Sequence, residues 1–248
     1  MAGTALLGRL TWRVADVVDV IAETPRATTL VFAVPDWPGH RAGQHVDVRL
    51  TAEDGYQTQR SYSISSAPDG TRIALTVVHV QDGEVSPYLT GELRSGDQIE
   101  LRGPVGGYFV WEPEHGGPLL LVGGGSGLAP LMAMIRLRAA VGSDAETRLL
   151  VSSRSWEDIL YRTELERLAG HGLTVVHTLT ASRPSGWTGY ARRVDADMLA
   201  EVGPGPAARP QVFVCGPTPF VEAVADALVT LRHEPRRIKT ERFGPTGD

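Results

Sequence analysis

The run that most constrains this chain is Leu119-Leu120-Leu121-Val122 passing directly into Gly123-Gly124-Gly125-Ser126-Gly127 and then Leu128-Ala129-Pro130. An apolar strand, a glycine-rich turn and a helix in succession let backbone N–H groups and the helix dipole come close to a pyrophosphate. Pro130, near the helix start, removes an N–H that has no partner there in any case. Leu128 occupies the sixth place, so the turn is not a GxGxxG fingerprint, and a simple dehydrogenase is disfavoured.

Downstream of this turn, apolar strand patterns at Leu119 to Val122, Thr147 to Ser152, Leu173 to Thr178 and Gln211 to Cys215 alternate with helical ones. The helical patterns cover Ala129 to Val141, Trp156 to Ala169, Ala196 to Val202 and Phe220 to Leu231, and Ile238 to Phe243 reads as a last strand. Strand and helix in alternation predict a doubly wound α/β domain, a parallel sheet covered on both faces. Upstream the pattern is different. Short β-rich runs at Trp12 to Ile21, Ala27 to Val34, His45 to Leu50, Ser61 to Ser65, Ile73 to Val80 and Gln98 to Arg102 predict an antiparallel β-barrel, with one helix at Ser86 to Leu93. Turn signals separate these runs, among them Glu53-Asp54-Gly55 and Ala67-Pro68-Asp69-Gly70. The polar segment Glu112 to Pro118 reads as a linker, giving domains at 10–111 and 118–243.

Composition narrows the function classes. A net charge of -5 among 248 residues offers no basic excess for nucleic acid or an acidic membrane surface. One cysteine rules out an intrachain disulfide framework and a protein-ligated iron–sulfur cluster, so any iron–sulfur partner is a separate protein, and no metal site is expected. No signal peptide or apolar run of about 18 residues is present, so the expectation is the cytoplasm; a monomer is expected as well.

Arg60-x-Tyr62-Ser63, Gly83-Glu84-Val85-Ser86, Gly103-Pro104-Val105-Gly106, Gly123 to Gly127, Cys215-Gly216-Pro217 and Glu241-Arg242-Phe243 occur in an order that resembles the ferredoxin–NADP reductase superfamily, over nearly the whole chain. The likeness is to reductase modules of aromatic-ring dioxygenases and flavohaemoglobins. It implies an FAD-binding barrel, an NAD(P)-binding domain and a flavin in the cleft between them. Residue chemistry agrees. Arg60 can fork onto a flavin phosphate, flanked by the hydroxyl of Ser61, and Tyr62 offers a ring to the isoalloxazine. Regular strand alternation would turn Ser63 to the opposite side from Tyr62; in the family the equivalent serine lies near flavin N5. Ser86 reads as an N-cap and Pro87 as the first helical residue, so Gly83, Val85 and Ser86 would form a turn for the FAD pyrophosphate. The strand before that turn, Val77-Val78-His79, borders the flavin but lacks the lysine or arginine that many family members carry there.

For the second nucleotide, Gly123, Gly124, Gly125, Ser126 and Gly127 would take the pyrophosphate. Ser153 and Arg154 follow the second strand where many NAD enzymes place a carboxylate, and Tyr161 and Arg162 come shortly after. Hydroxyl and guanidinium groups suit a 2′-phosphate, which favours NADPH over NADH, although relatives with an arginine here also use NADH and Asp158 is close by. By the resemblance, Cys215 with Gly216 and Pro217 positions the nicotinamide, Phe243 covers the flavin face that the nicotinamide must occupy, and Glu241 orients or protonates. Residues from Gly244 to Asp248 read as a tail. The implied activity is hydride transfer from NAD(P)H to bound FAD, then release of single electrons to a separate ferredoxin-like or haem protein. Two alternatives stand beside it: a flavin reductase that releases reduced flavin to a monooxygenase, and a non-catalytic nucleotide-binding subunit of an electron-transfer complex.

Overall fold

A computed structural model describes residues 10–68, 70 and 72–244; Asp69 of one expected turn and residues 245–248 of the expected tail lie outside the described residues. The first half forms β1 (Trp12–Thr24), β2 (Ala27–Ala33), β3 (His45–Thr51), β4 (Gln57–Ser63), β5 (Arg72–Val78) and β6 (Gln98–Val105), with a short helix α1 (Ser86–Gly91) between β5 and β6. The strands are antiparallel in the order β4-β3-β6-β1-β2-β5. Ile64, just past β4, bridges Leu75 of β5, and the Ser65 N–H donates to the Ala74 carbonyl at 2.8 Å. Those two contacts bring the ends of the sheet together as a barrel. Alternate residues such as Val46 and Val48, Leu30 and Phe32, and Ile99 and Leu101 fill its interior, as the period of two requires.

The second half forms β7 (Leu119–Gly124), α2 (Leu128–Ala140), β8 (Thr147–Ser153), α3 (Arg162–Leu168), β9 (Leu173–Leu179), α4 (Ala196–Val202), β10 (Gln211–Pro217), α5 (Thr218–Thr230) and β11 (Ile238–Phe243). Its sheet is parallel throughout, in the order β11-β10-β7-β8-β9. Leu119 and Leu121 of β7 pack with α2 and α3, while Leu120 and Val122 pack with α4 and α5. The doubly wound arrangement therefore follows from one strand being apolar on both faces. Helix α2 is buried from Leu128 to Ile135 because the barrel covers its other side, through Ala27, Ala42, Phe109 and Trp111. Among the described residues, no helix is long and apolar enough to cross a membrane.

Three elements differ from the sequence pattern. Strand β4 begins at Gln57, although Gln57-Thr58-Gln59 carries no apolar signal, because it pairs residue for residue with β3 from Thr51↔Gln57 to His45↔Ser63. Ser86 is not an N-cap: its Oγ accepts from the Val80 N–H at 3.1 Å, and Val85 precedes the helix with no side-chain cap. The expected helix from Trp156 to Ala169 is reduced to α3, because Tyr161 adopts a left-handed backbone (φ 52°) that ends the preceding turn. That conformation costs about 1–3 kcal/mol for a residue with a Cβ. In exchange, the Tyr161 ring is buried under the Arg136 guanidinium and its hydroxyl donates to Thr76 in the barrel.

Candidate functional site

Two cavities meet where the barrel faces the parallel sheet. The larger, of about 580 Å³, is lined by Arg60, Ser61, Tyr62 and Ser63 of β4, by Gly83 and Val85 of the turn before α1 and Ser86 at its start, and by Glu241 and Phe243 of β11. Four consecutive residues of β4 contribute, Tyr62 and Ser63 among them, where alternation alone would have divided them between two faces. Strand β4 ends the hydrogen-bonded order, and the cavity wraps around that edge.

The donor set fits a flavin nucleotide. Arg60 is a permanent cation at the exposed rim, and its guanidinium reaches Glu84 Oε2 at 3.4 Å. Glu84 also accepts from the Tyr56 hydroxyl at 3.2 Å and from Thr58 Oγ1 at 3.0 Å. Tyr62 supplies the aromatic wall; burial pushes its phenol up to about 12, against a smaller opposing effect of Arg60, so it stays neutral. At the inner end Ser63 Oγ donates to Glu241 Oε1 at 3.0 Å. Burial raises the Glu241 carboxyl above its ordinary value, and the Ser63 hydrogen bond only partly offsets this. His45 is directly opposite Ser63 in the ladder and lines the same cavity. Burial lowers its pKa, Asp47 opposing, which keeps the ring neutral at neutral pH.

The second cavity, of about 240 Å³, is lined by Gly124, Gly125 and Ser126 of the glycine-rich turn, Ser153 and Arg154 at the end of β8, and Pro217 at the end of β10. This is the carboxyl edge of a parallel sheet, where doubly wound folds bind ligands. Val78 and Ser126 line both cavities, so the two spaces adjoin. Asp158, also in the wall, accepts from Ser155 Oγ at 2.9 Å. The other glycines of this turn, and Gly216 at the end of β10, serve packing. A Cβ at Gly127 would collide with the Cys215 carbonyl, one at Gly123 would come within 3.1 Å of the Leu131 side chain, and one at Gly216 would meet Phe220 at 2.7 Å.

Several sequence-predicted residues are elsewhere. Cys215 is 1% exposed, packed in the core shared with α2, and lines neither cavity; its backbone pairs with Glu241. Burial first and the Glu241 charge second raise its thiol well above the ordinary range, so it is not a thiolate. Val77 points into the barrel core, and the His79 ring meets Thr90 Oγ1 at 2.9 Å; neither lines a cavity. Tyr161 and Arg162 are outside the nucleotide cavity: Tyr161 is committed to Thr76, and Arg162 stacks 4.8 Å from the centre of the Trp156 ring. Conversely, sequence reading missed His45, Thr76 and Glu84 around the first cavity and Thr24, Arg26 and Thr180 around the second. Glu84 stood inside a noted motif. The others come from strand register and from a hairpin of the opposite domain, for which a single sequence carries no local signal.

Comparison with known proteins agrees with this geometry. Residues 17–110 match the family described as oxidoreductase FAD-binding domain, and residues 121–226 the oxidoreductase NAD-binding domain. The chain is 32% identical over 240 residues to the glycine betaine monooxygenase reductase subunit of Pseudomonas aeruginosa, covering 92% of this chain but only 63% of that longer protein. It is 36% identical over 212 residues to ferredoxin–NADP reductase B of Sorangium cellulosum, covering 82% of this chain and 84% of that one. Among solved structures, the FAD/NAD-binding domain of nitric oxide dioxygenase from Vibrio cholerae superposes with a TM-score of 0.83 at 25% identity, over 94% of this chain and 99% of that one.

Proposed function

Because the chain belongs to the ferredoxin–NADP reductase superfamily of FAD- and NAD-binding oxidoreductases, we propose that it takes electrons from NADPH and delivers them, through FAD, to a separate acceptor protein. Residues 10–111 are read as the FAD-binding domain and 118–243 as the NADP-binding domain. The observation that carries the reading is the adjoining of the two cavities at Val78 and Ser126, since direct hydride transfer requires the two rings to meet. When bound, the flavin supplies the redox chemistry, accepting hydride and passing electrons on.

The protein's part is binding, orientation and control of one proton. Arg60 is assigned to the flavin phosphate, Tyr62 and Phe243 to its ring system, and Ser63 with Glu241 to holding a proton at the inner wall. Glu84 also bounds a separate depression of about 670 Å³ beside Tyr56 and Tyr88. The turn from Gly83 to Ser86 in the wall of the first cavity supports a dinucleotide, with its pyrophosphate, over a mononucleotide. Arg154 and the hydroxyl of Ser153 support NADPH as donor, because a 2′-phosphate is a strong acceptor of charge-assisted hydrogen bonds. Two relatives are named as a monooxygenase reductase subunit and a ferredoxin–NADP reductase, which supports a ferredoxin-like or haem protein as acceptor.

The test is the anaerobic absorption spectrum of the purified protein before and after one equivalent of NADPH, with NADH in a separate sample. The expected result is a bound-flavin band bleached faster by NADPH. Faster bleaching by NADH would reverse the choice of nucleotide, and a colourless protein that cannot retain added FAD would overturn the bound-FAD reading.

A further inference from the structure

The hairpin joining β1 to β2 belongs to the barrel, yet Thr24 and Arg26 at its tip form part of the wall of the nucleotide cavity in the other domain. Both backbone groups of Arg26 are held: its N–H donates to Thr24 Oγ1 at 3.2 Å, and its carbonyl accepts from the His79 N–H at 2.7 Å. The next residue, Ala27, is buried in the core that joins the two domains. The side chain of Arg26 remains exposed, and among the described residues its guanidinium has neither a carboxylate nor a carbonyl partner. The Arg154 guanidinium, in the same wall, is likewise without a partner among the described residues. Two cations without a direct ion pair therefore share a cavity whose wall holds one carboxylate, Asp158, which accepts from Ser155, and the wall keeps a positive excess.

Like charges on one cavity wall repel each other unless an anion comes between them. The pyrophosphate of a nicotinamide nucleotide is already provided for by the glycine-rich turn. The hairpin tip also adjoins the segment that follows Arg154: Thr24 lines a groove with Ile159 and Tyr161. From this we infer that Arg26 is a specificity-determining residue for NADPH, binding the 2′-phosphate from the barrel side while Arg154 binds it from the sheet side. The inference rests on the reading that this cavity takes a nicotinamide nucleotide, and it adds that selection is shared between the two domains. The 2′-phosphate then bridges them and fixes their alignment.

The test uses the flavin-loaded protein and isothermal titration with two probes that differ only in the group at issue, adenosine 2′,5′-bisphosphate and adenosine 5′-monophosphate. Wild type is expected to bind the bisphosphate more tightly, and Arg26→Gln to weaken that binding roughly tenfold, as loss of one charge-assisted contact implies. Binding of the monophosphate should be unchanged, and Arg26→Lys should recover most of the difference. The KM for NADPH should rise in Arg26→Gln while that for NADH stays put. Equal binding of the two probes by wild type, equal weakening of both in the variant, or no weakening at all would each overturn the assignment. Retained flavin absorbance shows that the variant is folded. Failure of NADPH to bleach the flavin, with Arg26-dependent bisphosphate binding intact, would overturn the reductase reading and leave this inference standing.

Discussion

At the scale of single residues, the site is governed by which charges are buried and which are shared. Glu241 has its carboxyl pushed above the ordinary 4.5 by burial. An acid with a raised folded-state pKa favours the folded state in its protonated form. That contribution is fully present below the unfolded value and is lost as pH rises through the folded one. Glu241→Gln carries no such charge, so its thermal stability should gain on that of wild type as pH rises above the ordinary carboxyl value of 4.5, and the difference should stop changing below it. A gap that does not vary with pH would show that Glu241 does not titrate in this range. At the rim, Glu84 holds the Arg60 guanidinium that is assigned to a flavin phosphate. The carboxylate and the phosphate compete for one cation, so Glu84→Gln should tighten FAD binding by roughly twofold to fivefold, the modest effect of an exposed ion contact. Equilibrium dialysis against free FAD measures it.

At the scale of elements, the glycine-rich turn separates into two jobs that look alike in sequence. Gly124 and Gly125 line the cavity, and Gly125 has a positive φ of 55° with open space where a Cβ would go. Gly127 instead lets α2 approach β10, where a Cβ would meet the Cys215 carbonyl. Gly125→Ala should therefore cost only about 1–2 kcal/mol, the price of a left-handed alanine. Gly127→Ala should cost about 3 kcal/mol or more, because the obstacle is backbone that cannot turn aside. Urea unfolding of the two variants distinguishes these roles. The elements were largely legible beforehand, since apolar runs and turn residues are local properties. The first part of strand β4 and the turn before α3 were not, because pairing with β3 and the burial of Tyr161 override what Gln57-Thr58-Gln59 and the 156–161 segment show on their own.

At the scale of the whole molecule, the domains are joined by a buried polar contact as well as by α2. Tyr161 of the α/β half reaches Thr76 of the barrel, which in turn contacts Thr29 Oγ1 at 2.7 Å and Ser65 Oγ at 3.3 Å. Above the tyrosine ring, Arg136 binds Glu164 at 2.6 Å and the Ser65 carbonyl at 2.7 Å, linking the halves a second time. Tyr161→Phe should destabilise the protein by about 1–2 kcal/mol, the net value of a buried hydrogen bond. It should leave the KM for NADPH unchanged, because Tyr161 lies outside the nucleotide cavity. A raised KM with unchanged stability would return Tyr161 to the binding role its position in the sequence suggests.

By itself the sequence determined the two architectures and the motifs that face the cavities, since hydrophobic period, turn chemistry and the glycine-rich run act over a few neighbouring residues. Gly124 to Ser126 and Arg154 line a cavity from positions such patterns single out, and Arg60 to Ser63 and Phe243 from positions the family resemblance singles out. Only the tertiary structure decided that Ser63 meets Glu241, 178 residues away, that His45 stands across from Ser63, and that Arg26 of one domain lines the nucleotide cavity of the other. It also withdrew Cys215, Tyr161 and Arg162 from the cavities. The physical reason is common to all of them: which side chains share a cavity depends on strand register and domain docking, and both are set by packing between segments distant in the chain.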